Sequence, residues 1–353
     1  MSISILGLGT AVPPHTLPQM AIAERYCARL DLTGEKGQKL RKIFANTRIE
    51  KRHAVLPDAL GPDCELFGPH FPTTVPGTHA RNRIYAQEAP KLALAAANKA
   101  LADWGGARES ITHVVSVSCT GMIAPGLEFL LLDALGLHRN TYRLGVNFMG
   151  CFGAFKGLSV ARALANEDPK NRVLVVCTEL CSLHFQADTA IDTIISNGLF
   201  ADGAAAAIVG ADAGLWKLTR FTSSALSDSL HQMTWEAGDV GYAMRLSVEV
   251  PMEVRRHLLE FLAPLTTPGK PYPEYGWAIH PGGKAILHAV TQKCDLTRDH
   301  LAHSWEVLRQ FGNMSSPTFL FVLDEMRKGE VPDETLGMGF GPGLSLEGVL
   351  LTR

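Results

Sequence analysis

An α/β fold with a substantial sheet is what the sequence predicts. Two observations carry it. Strand-like apolar runs alternate with helix-like runs from end to end of the 353 residues. Hydrophobic residues make up 46% and charged residues 19%, enough apolar content to bury one large core or two fused medium ones. A third observation bears on architecture, because the second half of the chain can be laid over the first.

Ser2 to Gly9 reads as the first strand, followed by a helix over Gln19 to Arg29 and a basic helix over Lys36 to Ala45. Residues 54 to 78 concentrate prolines and glycines and read as a surface loop. A helix from Ala80 to Asp103 follows, expected to break or kink at Pro90. Then come a strand at His113 to Cys119, a helix at Gly126 to Leu135, a strand at Tyr142 to Phe148, a helix at Phe152 to Asn166, and strands at Arg172 to Glu179 and Ala204 to Gly210. After Ala211 a similar order begins again. Gly276 to His280 is a strand leading to a helix at Lys284 to Lys293, and Gln310 to Pro317 is a turn leading into a helix at Thr318 to Arg327. In this register Cys151 and Asn313 occupy equivalent turns, with His280 on a neighbouring strand end. Any α/β chain overlays loosely on itself, so pattern alone leaves the duplication open.

Composition excludes several function classes. A net charge of −2 leaves no electrostatic footprint for nucleic acid or an anionic membrane. The seven cysteines are odd in number and scattered without CxxC pairs, which suggests neither a disulfide framework nor a zinc site and fits a reducing compartment. The N-terminus lacks the pattern of a secretory signal and no apolar run approaches a membrane span, so a cytoplasmic protein with no integral membrane association is expected.

Cys151 is the residue of greatest chemical interest. It stands between a strand and a helix in Gly150-Cys151-Phe152, where the unsatisfied N–H groups of a helix start favour thiolate. The alternative is a small buried apolar side chain, the role of most free cysteines. His280 closes an apolar strand ahead of Pro281-Gly282-Gly283, whose glycines let a ligand approach the backbone. Asn313 follows Gly312, with Ser315 or Ser316 placed to cap the next helix and Pro317 in its first turn; locally it reads equally well as a plain turn residue.

Together these segments resemble type III polyketide synthases, the chalcone synthase-like branch of the thiolase superfamily. The resemblance rests on Gly150-Cys151-Phe152, Trp277 to Leu287, Gly312-Asn313-Met314-Ser315-Ser316 and Gly339-Phe340-Gly341-Pro342-Gly343, in order across nearly the whole chain. It implies a thiolase-like αβαβα five-layered fold with an internal duplication, with residues 1–211 carrying the nucleophile and 212–353 the histidine and asparagine. It also implies a homodimer and a Cys151-His280-Asn313 triad. Cys151, as thiolate beside imidazolium His280, would carry an acyl starter taken from coenzyme A. His280 and Asn313 would stabilise the enolate formed when malonyl-CoA loses CO₂, with no metal or organic cofactor.

The same resemblance makes Phe200 a gatekeeper whose apolar face lies near the malonyl carboxylate. Met244 stands where plant members have a second gatekeeper phenylalanine, as in bacterial members. His184 replaces a cavity threonine, and Ala124 replaces a methionine that crosses the dimer. Cys119, Ser315, Gly282 and Gly283 are placed at the substrate site. Met244 and Ala124 would open room for a long acyl starter, whereas His184 would narrow the aromatic pocket. Lys39 and Lys42 match two coenzyme A phosphate residues; the third position holds Asn46, with Arg48 or Lys51 as substitutes. The implied reaction is iterative decarboxylative condensation and cyclisation to an alkylpyrone or alkylresorcinol. The alternatives are a ketoacyl synthase III-like enzyme that condenses once, or a non-catalytic acyl-CoA-binding paralogue.

Overall fold

The computed structural model describes residues 2–58, 60–61 and 63–353. The first half comprises β1 (Ser4–Ala11), β2 (His15–Pro18), α1 (Gln19–Arg29), α2 (Gly34–Asn46), β3 (Lys51–Ala54), α3 (Thr78–Trp104), β4 (His113–Ser118), α4 (Leu127–Ala134), β5 (Tyr142–Asn147), α5 (Gly153–Glu167), β6 (Arg172–Leu180), α6 (Ile191–Leu199) and β7 (Asp202–Gly210). The second comprises β8 (Trp216–Ala225), β9 (Met233–Gly238), β10 (Gly241–Leu246), α7 (Val250–Leu262), β11 (Gly276–Ile279), α8 (Lys284–Lys293), α9 (Ala302–Phe311), α10 (Thr318–Met326), β12 (Glu334–Gly341) and β13 (Ser345–Thr352).

Nine strands pair in the order β11-β12-β13-β8-β1-β7-β6-β4-β5. Within the sheet the halves join where β1 pairs with β8, Ser4 opposite Lys217 and Ile5 opposite Trp216. On either side of that seam the pattern repeats. β6 and β7 are antiparallel, as are β12 and β13; β4 and β6 are parallel, as are β11 and β12. The duplication is therefore present in the topology. It is incomplete where α9 leads directly to Gly312 without a counterpart of β5, and where β12 passes to β13 without a counterpart of α6.

Alternation along the strands feeds three separate apolar clusters and so makes five layers. In β7, Ala204, Ala206 and Ile208 face the cluster under α1 to α4, while Ala205, Ala207 and Val209 face a central cluster built on α5 and α10. In β11, Ala278 faces that same centre, and Trp277 and Ile279 face the cluster under α7, α8 and α9. The two central helices meet through Phe155 and Phe319, whose ring centroids are 4.1 Å apart. Cys151 precedes α5 and Asn313 precedes α10, so this contact fixes the distance between the two turns.

Two expectations change. α3 runs unbroken over 27 residues through Pro90, its alanine face (Ala89, Ala93, Ala96, Ala97, Ala100) packed on β1. The stretch from 54 to 78 is not a surface loop. Leu56, Leu60, Cys64, Leu66, Phe67 and Phe71 are buried, and Arg29 donates to the carbonyls of Leu60 (2.8 Å), Gly68 (2.9 Å) and Phe67 (2.8 Å). An irregular segment enters a core only when its backbone groups find partners, and one guanidinium supplies several here.

Candidate active site

Cys151 lies in a single 3₁₀ turn, Gly150–Phe152, ahead of α5, and is 5% exposed. Gly150 makes the turn possible: its φ is +68°, and a Cβ there would lie 2.5 Å from Pro342 Cδ. Gly312 does the same for Asn313, with φ +71° and room for a Cβ blocked by the Leu199 carbonyl at 2.9 Å. Asn313 is pinned at both ends of its backbone. Its N–H donates to Leu199 O (2.9 Å), and its carbonyl accepts from Ala201 N–H (2.8 Å), which sets Phe200 directly alongside.

The asparagine side chain is oriented as well as placed. Ser315 N–H donates to Asn313 Oδ1 at 2.8 Å, which leaves Nδ2 to face Cys151 Sγ at 3.8 Å. His280 continues from β11, its N–H bonded to Met338 O at 2.8 Å, and is fully buried. Neither of its ring nitrogens has a hydrogen-bond partner among the described residues. Burial pushes the His280 imidazole down to about 3. It pushes the Cys151 thiol up to about 11, against opposing contributions from Ser315 and Asn313. Taken singly, each group is thus driven by burial toward its neutral form, thiol for Cys151 and imidazole for His280.

Cys151, His280, Asn313, Phe200, Met244, Gly282 and Gly283 all line one cavity of about 430 Å³. Its other walls are mainly apolar, among them Leu199, Met233, Leu246 and Phe340. Lining residues that reach the surface, Asn46 and Val248, mark its mouth. Lys284, a first-turn residue of α8 that sequence reasoning did not single out, also lines it. Lys39 and Lys42 are exposed on α2, one turn before the lining residues Ile43 and Asn46 and on the same helical face. Arg48 and Lys51 do not line the cavity.

Other expected substrate residues stand elsewhere. Cys119 and Ser315 are buried behind the cavity, their Sγ and Oγ 3.6 Å apart. Ala124 is exposed on the protomer surface. His184 is wall rather than ligand: Tyr242 N–H donates to its Nδ1 (3.0 Å), so Nε2 carries the proton and donates to Thr120 O (2.7 Å). The ring also stacks on Tyr242 at 4.2 Å, and burial pushes it down to about 3. Neither Ser315 nor Ser316 caps α10, whose N-cap is Pro317. Ser316 instead donates to Glu179 Oε1 at 2.5 Å.

Glu179 is the buried group that sequence reasoning missed. Its Oε2 accepts from Cys119 N–H (2.9 Å) and Thr120 Oγ1 (2.8 Å), so one carboxylate ties the end of β4 to the asparagine turn. Burial pushes its carboxyl up, opposed by these donors, Ser316 foremost. A carboxylate at the end of an otherwise apolar strand was the available signal. Among the described residues, no group of three or more His, Cys, Asp or Glu side chains could hold a metal ion, and no helix is long and apolar enough to cross a membrane.

Comparison with known proteins gives a consistent picture. The chalcone and stilbene synthase N-terminal domain model matches residues 2–213, and the C-terminal domain model matches residues 220–353. "Probable polyketide synthase 1" of Dictyostelium discoideum is 32% identical over 360 residues; the match spans 98% of this chain and 11% of that protein's length. The solved C-terminal type III polyketide synthase domain of Steely1, a type I/III hybrid from Dictyostelium, superposes with a TM-score of 0.94 at 31% identity, covering 100% of this chain and 99% of that one. A point mutant of CsyB superposes with a TM-score of 0.91 at 26% identity, covering 100% of both chains.

Proposed function

The chain belongs to the chalcone and stilbene synthase family of type III polyketide synthases, and from that premise we propose that it extends a fatty acyl starter from coenzyme A with malonyl-CoA units and closes the product to an alkylpyrone or alkylresorcinol. The observation that carries the reading is the cavity holding Cys151, His280, Asn313 and Phe200 together behind largely apolar walls.

The charge state of the pair shapes the mechanism. With Cys151 a thiol and His280 neutral, the imidazole acts as a base: it takes the sulfur proton as Cys151 attacks the starter thioester, then returns it to the departing coenzyme A thiolate. Malonyl-CoA binds next with its carboxylate toward Phe200, whose apolar face withholds solvation and favours loss of CO₂. His280 and Asn313 Nδ2 donate to the enolate oxygen, Asn313 being preset by the Ser315 N–H on its other amide atom. The enolate carbon attacks the Cys151 thioester, forming the C–C bond and breaking the C–S bond. The lengthened chain, now on coenzyme A, reloads onto Cys151. No metal or organic cofactor has a step to perform.

Lys39 and Lys42 on α2, with Lys284 of the cavity wall supplying the cation missing at Asn46, form the phosphate site for coenzyme A in this reading. A homodimer is proposed through β5, the outermost strand of the sheet, whose residues are almost all exposed. Seven buried, unpaired cysteines fit a reducing cytoplasmic setting. Incubation with labelled malonyl-CoA and a panel of acyl-CoA starters tests the whole reading. Pyrone or resorcinol products are expected; a lone ketoacyl product would mark a single-condensation enzyme instead.

A further inference from the structure

Phe200 and Met244 line not one space but two. Beyond them lies a smaller chamber of about 70 Å³, so the pair forms a partition shared with the Cys151 cavity. An acyl chain held on Cys151 and passing between them would put its far end there. The chamber is roughly two water volumes in size and takes only the last few heavy atoms of a chain.

Much of its wall is apolar, with Leu60, Phe67 and Trp235 among its residues, yet Arg52 and Ser196 also line it. Each is only 7% exposed, and Arg52 Nη2 and Ser196 Oγ have no hydrogen-bond partner among the described residues. The rest of the guanidinium is engaged: Nε donates to Gln19 Oε1 (2.9 Å), and Nη1 donates to the carbonyls of Asn197 (2.8 Å) and Phe200 (2.6 Å). Asp202 does not absorb the remaining edge, since its carboxylate accepts from Ser182 N–H (2.7 Å), Ser182 Oγ (2.6 Å) and Val55 N–H (2.9 Å). His184, on another wall, has both nitrogens bonded, whereas His53 Nε2 adds a third unpartnered atom. Buried donors left in this state favour an acceptor and penalise hydrocarbon.

Resting on the polyketide synthase reading, we infer that the chamber selects starter acyl chains whose far end carries an acceptor oxygen, an oxo or carboxyl group, received by Arg52 Nη2 and Ser196 Oγ. A methyl-ended chain of the same length leaves both donors unmet, and a site built to hydrogen-bond one group discriminates strongly against its absence.

Calorimetric binding to the Cys151→Ala protein tests this without chemistry. Coenzyme A thioesters would be compared over a ladder of chain lengths in three forms: methyl-ended, methyl-ketone-ended and carboxyl-ended. At the best length the oxygen-ended thioesters are expected to bind at least about tenfold tighter. Ser196→Ala and Arg52→Met should each remove most of that preference. Equal or tighter binding of the methyl-ended series at every length overturns the inference, as does an unchanged preference in both variants when they melt like the parent. The polyketide reading fails separately: wild-type protein that adds no malonyl unit to any starter overturns that reading even if the binding preference stands.

Discussion

At the scale of single residues, burial disfavours the charged forms of both Cys151 and His280. Cys151 needs His280 to remove its proton, so the first prediction concerns the sulfur itself: Cys151→Ala should abolish the acyl-enzyme seen by intact mass while residual malonyl-CoA decarboxylation persists, and unchanged polyketide output would refute the nucleophile assignment. The second concerns acid stability. His280 and His184 are both held near 3, well below the ordinary 6.5, so each stays neutral in the folded protein. The stability this represents is present above 6.5 and is lost as pH falls toward 3, at about 1.4 kcal/mol per pH unit for each group. Asp202, raised from 3.8 to about 6, acts with the opposite sign, its contribution present at low pH and lost as pH rises through that window. The quantity to read is therefore the difference between parent and His184→Asn in denaturant melts. The variant should be less stable near neutrality and its loss of stability between about pH 6 and pH 4 shallower by about 1.4 kcal/mol per unit. Parallel curves would mean that His184 takes up its proton without unfolding.

At the scale of elements, α2 is an amphipathic helix whose outer face leads from Lys39 and Lys42 to the cavity mouth at Asn46. Replacing Lys39 and Lys42 with glutamine should raise KM for acyl-CoA about tenfold with kcat nearly unchanged, and weaken its salt dependence, because exposed phosphate contacts act on binding rather than on the transition state. Unaltered KM would place the phosphates elsewhere. Helices such as α1 and α8 were legible in the sequence to the residue because apolar period and end signals agree there. α6 was not. Ile191-Asp192-Thr193-Ile194-Ile195 is rich in β-branched residues, and its last turn is held by tertiary donors, Gln19 to Gly198 O at 2.7 Å and Arg52 to Asn197 O at 2.8 Å. The β9–β10 ribbon that carries Met244 was likewise unread, although Met244 itself was singled out from the family pattern. The site follows the same division. Gly150-Cys151 and Gly312-Asn313 announce themselves because each glycine answers a local backbone demand, whereas Glu179 and Arg52 gain meaning only from partners distant in sequence, Thr120 and Ser316 for the one, Gln19 and Asn197 for the other.

At the scale of the whole molecule, the repeat is asymmetric, and the asymmetry has a consequence. The sheet ends on one side at β11, whose residues are all buried, and on the other at β5, where Tyr142 is 71% and Leu144 44% exposed. Met122 and Phe129, at 57% and 38%, add further exposed apolar surface in the segment after β4 that also contains Ala124. An exposed edge strand carrying apolar side chains invites pairing with another chain, and no strand of the described protomer pairs with the outer edge of this one. A second copy of the same chain meets the need symmetrically, edge to edge. Ala124 would then lie at the interface, where a longer side chain could reach the partner's cavity. The paired substitution Tyr142→Lys and Leu144→Lys puts like charges on both sides of such a contact. In sedimentation at micromolar concentration the parent should run at twice the chain mass and the variant at the chain mass, with far-ultraviolet circular dichroism unchanged. A parent that runs as a single chain would remove the dimer, and with it any role for Ala124 in substrate choice.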